Sequence, residues 1–183
     1  MVLTPINFET LYNQYTVLVY NVALNYLQNI EDAEEITQDV FVQIYNSIHK
    51  FEENSTLKTW IYRITINKCL DFIKHKNSKK RFFVFGKRNH NENEVLNVSD
   101  FEHPGILLEN KEKAEILFNA INQLSENQKT AFILSKIDGQ SNPEIAAVME
   151  LSISSVESLV FRAKAALKEK LSTNFKMYNK KKK

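Results

Sequence analysis

Between Leu124 and Leu171 the sequence lays out a helix, a turn, a short helix, a tight turn and a long amphipathic helix, in that order. This order of lengths is that of a helix-turn-helix, which sets one helix in the major groove of DNA. The local signals are physical. Ser125 and Gln128 form a capping-box pair, each able to satisfy an orphan backbone N–H. Asp138-Gly139 supplies the turn, because glycine tolerates the left-handed conformation that closes a helix. Asn142-Pro143 restarts a helix, with Asn142 as the expected N-cap and Pro143 pre-set for the first helical position. Ile145, Ala146, Val148 and Met149 give that short helix its buried face. Ser154 and Glu157 suggest a further capping box, followed by Val156, Leu159, Val160, Ala163 and Leu167 at helical spacing. Ser155, Ser158, Arg162 and Lys164 are left for the wetter sides. A helical hairpin of pure scaffold shares this periodicity, so the segment alone leaves both readings open.

The remainder of the chain points the same way in fold class. Three glycines and three prolines in 183 residues are too few for a sheet with many turns, and the apolar residues recur at helical spacing. An all-α protein of two small helical domains is expected. No apolar run approaches the roughly 18 residues of a membrane span, and MVLTPINFETLYNQY lacks the charged, apolar and small segments of a signal peptide. No membrane insertion and a cytoplasmic location are expected. The single cysteine, Cys69, cannot form an internal disulfide and sits in a helical pattern as a buried, inert thiol.

A net charge of +2 does not announce a nucleic-acid partner, but its distribution is uneven. Acidic residues crowd Glu31, Asp32, Glu34, Glu35 and Asp39, and basic ones crowd Lys74, Lys76, Lys79, Lys80, Arg81, Lys87 and Arg88. That separation suggests an acidic face for one partner and a basic face for another. The terminal Lys180 to Lys183 read as a disordered basic tail.

Three helices are expected first. Phe8, Leu11, Tyr12, Tyr15, Leu18, Val19, Val22, Ala23 and Tyr26 stripe a helix from about Phe8 to Leu27. A second opens near Asp32, whose carboxylate is the expected cap and whose acidic first turn suits the helix dipole. Its stripe is Ala33, Ile36, Val40, Phe41, Ile44, Tyr45 and Ile48. After the polar break from Phe51 to Thr56, a third runs from about Leu57 to His75, with Trp60 read as a core residue. From about Asn77 to His103 the periodicity fails. This reads as a partly disordered linker, with Phe82, Phe83, Val84 and Phe85 either docking or extending the third helix. A helix resumes near Leu107.

No catalytic or metal constellation is present. His49, His75, His90 and His103 are scattered, one cysteine makes no zinc spacing, and no glycine-rich phosphate loop exists. The chain does not read as an enzyme, and no cofactor or metal is expected.

The segment DAEEITQDVFVQIY, followed by a polar break and TLKTWIYRITINKCLDFIK, resembles the region 2 signature of bacterial extracytoplasmic-function (ECF, group 4) sigma factors of the sigma-70 family. LSENQKTAFILSKIDGQSNPEIAAVMELSISSVESLVFRAKAAL is similar to region 4 of the same family. The two occur in the family's order, with no region 3 between them. The resemblance implies region 2 over residues 5–76, a flexible linker over 77–106, the region 4 helix-turn-helix over 107–173 and a basic tail over 174–183.

It also implies site residues. Glu35, Gln38, Asp39 and Gln43 match the face that binds the β′ clamp helices of core RNA polymerase. Acidic and amide groups there suit an Arg-rich helix through charge-assisted hydrogen bonds, although a merely solvated face would look the same. Asn54, Ser55 and Thr56 match the element that captures a base flipped from the −10 region, with Asn67 contacting the same strand. Lys58, Arg63 and Lys68 are candidates for its phosphates, whereas Ile66 stands where a basic residue is common. Ser155, Glu157, Ser158, Phe161 and Arg162 match the −35 contacts, Arg162 suiting guanine or phosphate, Glu157 cytosine N4 and Phe161 a thymine methyl. Leu159 replaces a usual Arg and Glu157 a frequent Lys or Arg, so stand-alone DNA affinity should be weak. The implied protein is a promoter-specificity subunit in transcription initiation. Its expected partners are core RNA polymerase (β′ clamp helices and β subunit), duplex and single-stranded promoter DNA, and an anti-sigma factor. The alternative is an autonomous helix-turn-helix regulator dimerised by its N-terminal helices.

Overall fold

The computed structural model describes residues 7–51, 54–86 and 111–181, with side chains for 7–51, 54–78 and 112–172. The chain divides into two compact units, Met1–Asn97 and Val98–Lys183, and among the described residues both are built from helices without strands. The middle of the polar break (Glu52 and Glu53), the basic Lys87 and Arg88, and the linker beyond Gly86 lie outside the described residues. So do the helix start near Leu107 and the terminal Lys182 and Lys183.

In the first unit α1 (Phe8–Leu27), α2 (Ile30–Ser47) and α3 (Leu57–Gly86) pack pairwise against one another. Their stripes meet through Leu11, Val19, Val22 and Tyr26 of α1, Ile36, Val40 and Ile44 of α2, and Ile61 and Cys69 of α3, all buried. Each such aliphatic side chain contributes about 1.5–3 kcal/mol of transfer free energy. Two buried hydroxyls, Thr37 and Thr65, donate to the carbonyls of Ala33 and Ile61 four residues back at 2.7 and 2.8 Å, so neither leaves a polar group unsatisfied. α1 opens on Asn7, whose side chain accepts from Glu9 and Thr10 N–H, and closes on Gln28 in the left-handed region (φ 59°).

The cap of α2 differs from the expectation. Asn29, not Asp32, accepts the Asp32 N–H at 2.8 Å, and Asp32 turns outward to Lys76 of α3 at 2.5 Å. An asparagine three residues earlier offers the same acceptor and leaves the carboxylate inside the first turn, where the dipole favours it. α3 also runs past His75 through Phe82–Phe85 to Gly86. Lysine and arginine are good helix formers and no glycine or proline intervenes before Gly86, so the helix continues beyond its apolar pattern.

In the second unit α4 (Lys111–Asn122), α5 (Glu126–Phe132) and α6 (Asn142–Met149) surround α7 (Ile153–Lys181). The core comprises Phe118, Ile121, Ile133, Leu134, Ile145, Val156, Ala163 and Leu167. The Ser125–Gln128 capping box is present. α5 gives way to π-type turns over Ile133–Ile137, and Gly139 turns the chain at φ +68°. Ser141, rather than Asn142, caps α6; its N–H and hydroxyl both donate to the Glu144 carboxylate, at 2.8 and 2.7 Å. Ser152, rather than Ser154, starts α7, accepting the Ser155 N–H at 3.2 Å. α7 extends through the segment expected as a tail to Lys181, which again contains neither glycine nor proline.

Candidate functional site

On α2, Glu35, Gln38, Asp39 and Gln43 are all exposed. Steps of three and four residues put Glu35, Gln38 and Asp39 on one stripe, opposite the buried Ala33, Val40 and Ile44. Val42 and Asn46 continue the stripe and are also exposed. Gln43 follows Asp39 by one turn, on the side facing α3, where Asp39 pairs with Lys68 at 3.7 Å.

Thr56, Trp60, Arg63 and Asn67 recur at spacings of four, three and four, so they share one face of α3. Asn67 is exposed and Arg63 half-buried. Lys58 and Lys68 point elsewhere: the first lies over the Tyr62 ring at 5.9 Å, the second meets Asp39. The seven candidate residues for single-stranded DNA therefore divide into an outward stripe (Thr56, Arg63 and Asn67), two residues in the turn before it (Asn54 and Ser55) and two outlying cations. Asn54 and Thr56 are exposed and Ser55 half-buried just before the helix. Thr56 is occupied structurally, since its hydroxyl accepts the Thr59 N–H at 3.1 Å and its carbonyl the Trp60 N–H at 3.0 Å. Trp60 is not core as expected. It is half-buried and packs on Phe51 with ring centroids 5.4 Å apart, because its helical register places it on the Asn67 face rather than with Ile61.

The recognition helix keeps its candidates together. Glu157, Ser158, Phe161 and Arg162 line one shallow depression. A second groove shares Ser158 and Arg162 and adds Ser155, Ser154, Leu151, Leu159 and Asn127. Phe161 is 73% exposed, an arrangement that leaves a large apolar ring in water unless something covers it. Arg162 Nε donates to the Ser158 carbonyl at 3.2 Å, which orients the guanidinium along the helix. Glu157 accepts from the Asn142 side chain of α6 at 3.4 Å, tying the two helices of the motif together. Ser155 bonds Ser152 at 2.8 Å between hydroxyls. Asn127 was not singled out by sequence: it lies on α5, far along the chain from the recognition helix, and only the fold brings its amide to that groove.

Two family models match the chain. Sigma-70 region 2 covers residues 11–79 and sigma-70 region 4 covers residues 114–167. The chain belongs to the sigma-70 family. Within it, the chain is similar to the ECF RNA polymerase sigma-E factor of Haemophilus influenzae, 26% identical over 165 residues, spanning 90% of this chain and 87% of that protein. The factor of the same name from Escherichia coli is 29% identical over 151 residues, spanning 76% of this chain and 74% of that protein. Among solved structures, the sigma factor RpoE from Bartonella quintana, in complex with the anti-sigma factor NepR, superposes with a TM-score of 0.64 at 24% identity, covering 90% of this chain and 96% of that one. CnrH in complex with the cytosolic domain of CnrY gives 0.64 at 22% identity, covering 91% and 88%. At such identity these two structures speak to the fold alone.

This member of the ECF group is a promoter-specificity sigma factor for transcription initiation, and the matches do not favour an autonomous regulator. Among the described residues no helix is long and apolar enough to cross a membrane.

Proposed function

We propose that the two units divide the promoter between them and that one of them also holds the polymerase. The exposed stripe of α2, with Glu35, Gln38 and Asp39, and Gln43 beside it, docks on the β′ clamp helices through charge-assisted hydrogen bonds to basic side chains. Asn54, Ser55 and Thr56, with Arg63 and Asn67 on the outward face of α3, take unpaired −10 bases as the duplex opens. Lys58 and Lys68 serve phosphates from either side of that stripe. Ser155, Glu157, Ser158, Phe161 and Arg162 meet the edges of the duplex −35 element, with the second unit held by the β subunit. The free-energy source is binding alone; no bond is made or broken by this chain. Such work belongs in the bacterial cytoplasm, and an anti-sigma factor that masks these surfaces is the expected partner of the idle state.

One observation carries the reading: regions 2 and 4 are matched on one chain in the family's order. The mixed signs on the recognition helix, Glu157 beside Arg162, add support, since such a helix suits a protein delivered to DNA by a larger one. Pull-down of core RNA polymerase by the purified protein tests it, with Gln38→Ala/Asp39→Ala as control. Capture lost in the double variant supports the docking face. Failure of the folded, unmutated protein to bind, with any anti-sigma partner excluded, overturns it.

A further inference from the structure

Four rings gather where the start of α1 crosses the end of α2. Phe8 meets Tyr45 edge-on, with centroids 5.2 Å apart and planes at 83°. It also lies 6.4 Å from Phe41 and 6.4 Å from Tyr12, and Tyr12 stands 4.6 Å from Phe41. A core cluster of this kind would be covered. This one is open: Tyr12 is 43% exposed, Tyr45 64%, and Val42, one turn before Tyr45, 60%.

The patch adjoins the polar stripe of α2. Val42 follows Gln38 by four residues and Asp39 by three, and Tyr45 follows Gln38 by seven, two helical turns on. Apolar and acidic groups thus form one continuous surface. Its charge selects the occupant. Glu35 and Asp39 are exposed on the stripe that runs into the apolar patch, so the surface carries negative charge next to its apolar part. A partner with basic groups around an apolar centre fits it.

Resting on the reading of α2 as the polymerase-docking face, we propose that Val42, Tyr45 and Tyr12 form the apolar anchor of that interface and supply most of its affinity. Glu35, Gln38 and Asp39 then set its register. The physical ground is the division of labour in interfaces. Exposed ion pairs add little to affinity, whereas a few aromatic side chains in a desolvated centre dominate it and polar neighbours exclude water around them. Without the rings the stripe would be a rim with no centre.

The test is titration of the full chain against core RNA polymerase, with thermal melting of every variant. Tyr45→Ala and Val42→Ala, both at exposed positions, should each weaken binding about tenfold or more. Val42→Ala should melt as the parent does and Tyr45→Ala slightly lower, having lost its contact with Phe8, while Tyr45→Phe should keep nearly full affinity. The loss should persist in high salt, where the contribution of Asp39 fades. Unaltered affinity in Tyr45→Ala, alongside loss in Gln38→Ala/Asp39→Ala, overturns the anchor and leaves the docking face standing. Unaltered affinity in all of them overturns both. Concentration-dependent dimerisation abolished by Tyr45→Ala, with polymerase affinity intact, assigns the patch to a second copy and overturns the anchor as well. Equal loss in Tyr45→Phe points to the hydroxyl and overturns it too.

Discussion

The first unit is built from helices of 20, 18 and 30 residues, whereas α4, α5 and α6 of the second have 12, 7 and 8. Long helices have few ends, so the first unit depends mainly on where its apolar stripes face. Short helices expose many unpaired backbone groups per residue, and the second unit depends on satisfying them: a capping box at Ser125, the Ser141–Glu144 pair, the hydroxyl of Ser152 and the left-handed turn at Gly139. A change in a stripe and a change in a cap should therefore be felt differently in the two units.

The largest effect is expected from emptying either core. Ile61 and Ile145 are fully buried, one in each unit. Ile61→Ala and Ile145→Ala should each cost about 2–5 kcal/mol. Native-state hydrogen exchange should show the loss of protection confined to α1–α3 for the first and α4–α7 for the second. Protection lost across both units from one substitution would remove the distinction between them.

Next comes Gly139, which the second unit alone requires. A Cβ added there meets nothing within 4 Å, so the cost of Gly139→Ala is backbone strain at φ +68° and not a clash. It should be about 1–2 kcal/mol in urea unfolding, with Gly139→Asn less costly because asparagine visits this region more readily. An alanine variant as stable as the parent would mean that the turn relaxes to another conformation.

What could be read from the sequence follows the same division. The bounds of α1, Phe8 and Leu27, were legible because its stripe starts and stops cleanly between Asn7 and Gln28. Cap positions were displaced by one to three residues: Asn29 for Asp32, Ser141 for Asn142, Ser152 for Ser154. Each error chose among adjacent residues with nearly the same acceptor chemistry, and only the register of the following turn decides between them. Trp60 was misplaced for a related reason, since an aromatic at helical spacing fits two adjacent faces of α3 and the pairing with Phe51 is tertiary. The extension of α3 through Phe82–Phe85 was one of two readings left open and that of α7 was not foreseen, because apolar periodicity reports which face is buried, not how far the backbone continues as helix. In the candidate site, the outward stripes of α2 and α7 were legible as polar complements of apolar ones. The removal of Lys58 and Lys68 from the Asn67 face was not, because it depends on the Tyr62 ring and on Asp39 of another helix.

The caps themselves supply a smaller test. Ser152→Ala should cost about 1 kcal/mol, whereas Ser154→Ala should cost only a few tenths of that. Equal costs would mean that the Ser152 and Ser154 hydroxyls share the capping of the first turn of α7.

The smallest effect on stability is expected where two surfaces proposed for different partners touch. Asp39, proposed for polymerase, and Lys68, proposed for the −10 strand, pair across α2 and α3 with side chains 55% and 32% exposed. Ion pairs so open to water are worth about 0–1 kcal/mol and less in salt. A double-mutant cycle of Asp39→Asn and Lys68→Met, followed by thermal melting at low and high salt, should return a coupling within that range. Promoter binding should respond more. Losing one phosphate contact to single-stranded DNA lowers the slope of log K against log salt by about 0.7, so Lys68→Met holoenzyme should show a shallower salt dependence with core binding unchanged. A large stability coupling with an unaltered salt slope would make Lys68 a strut between two helices, and the −10 surface would then rest on Arg63 and Asn67, the outward face that the fold itself presents.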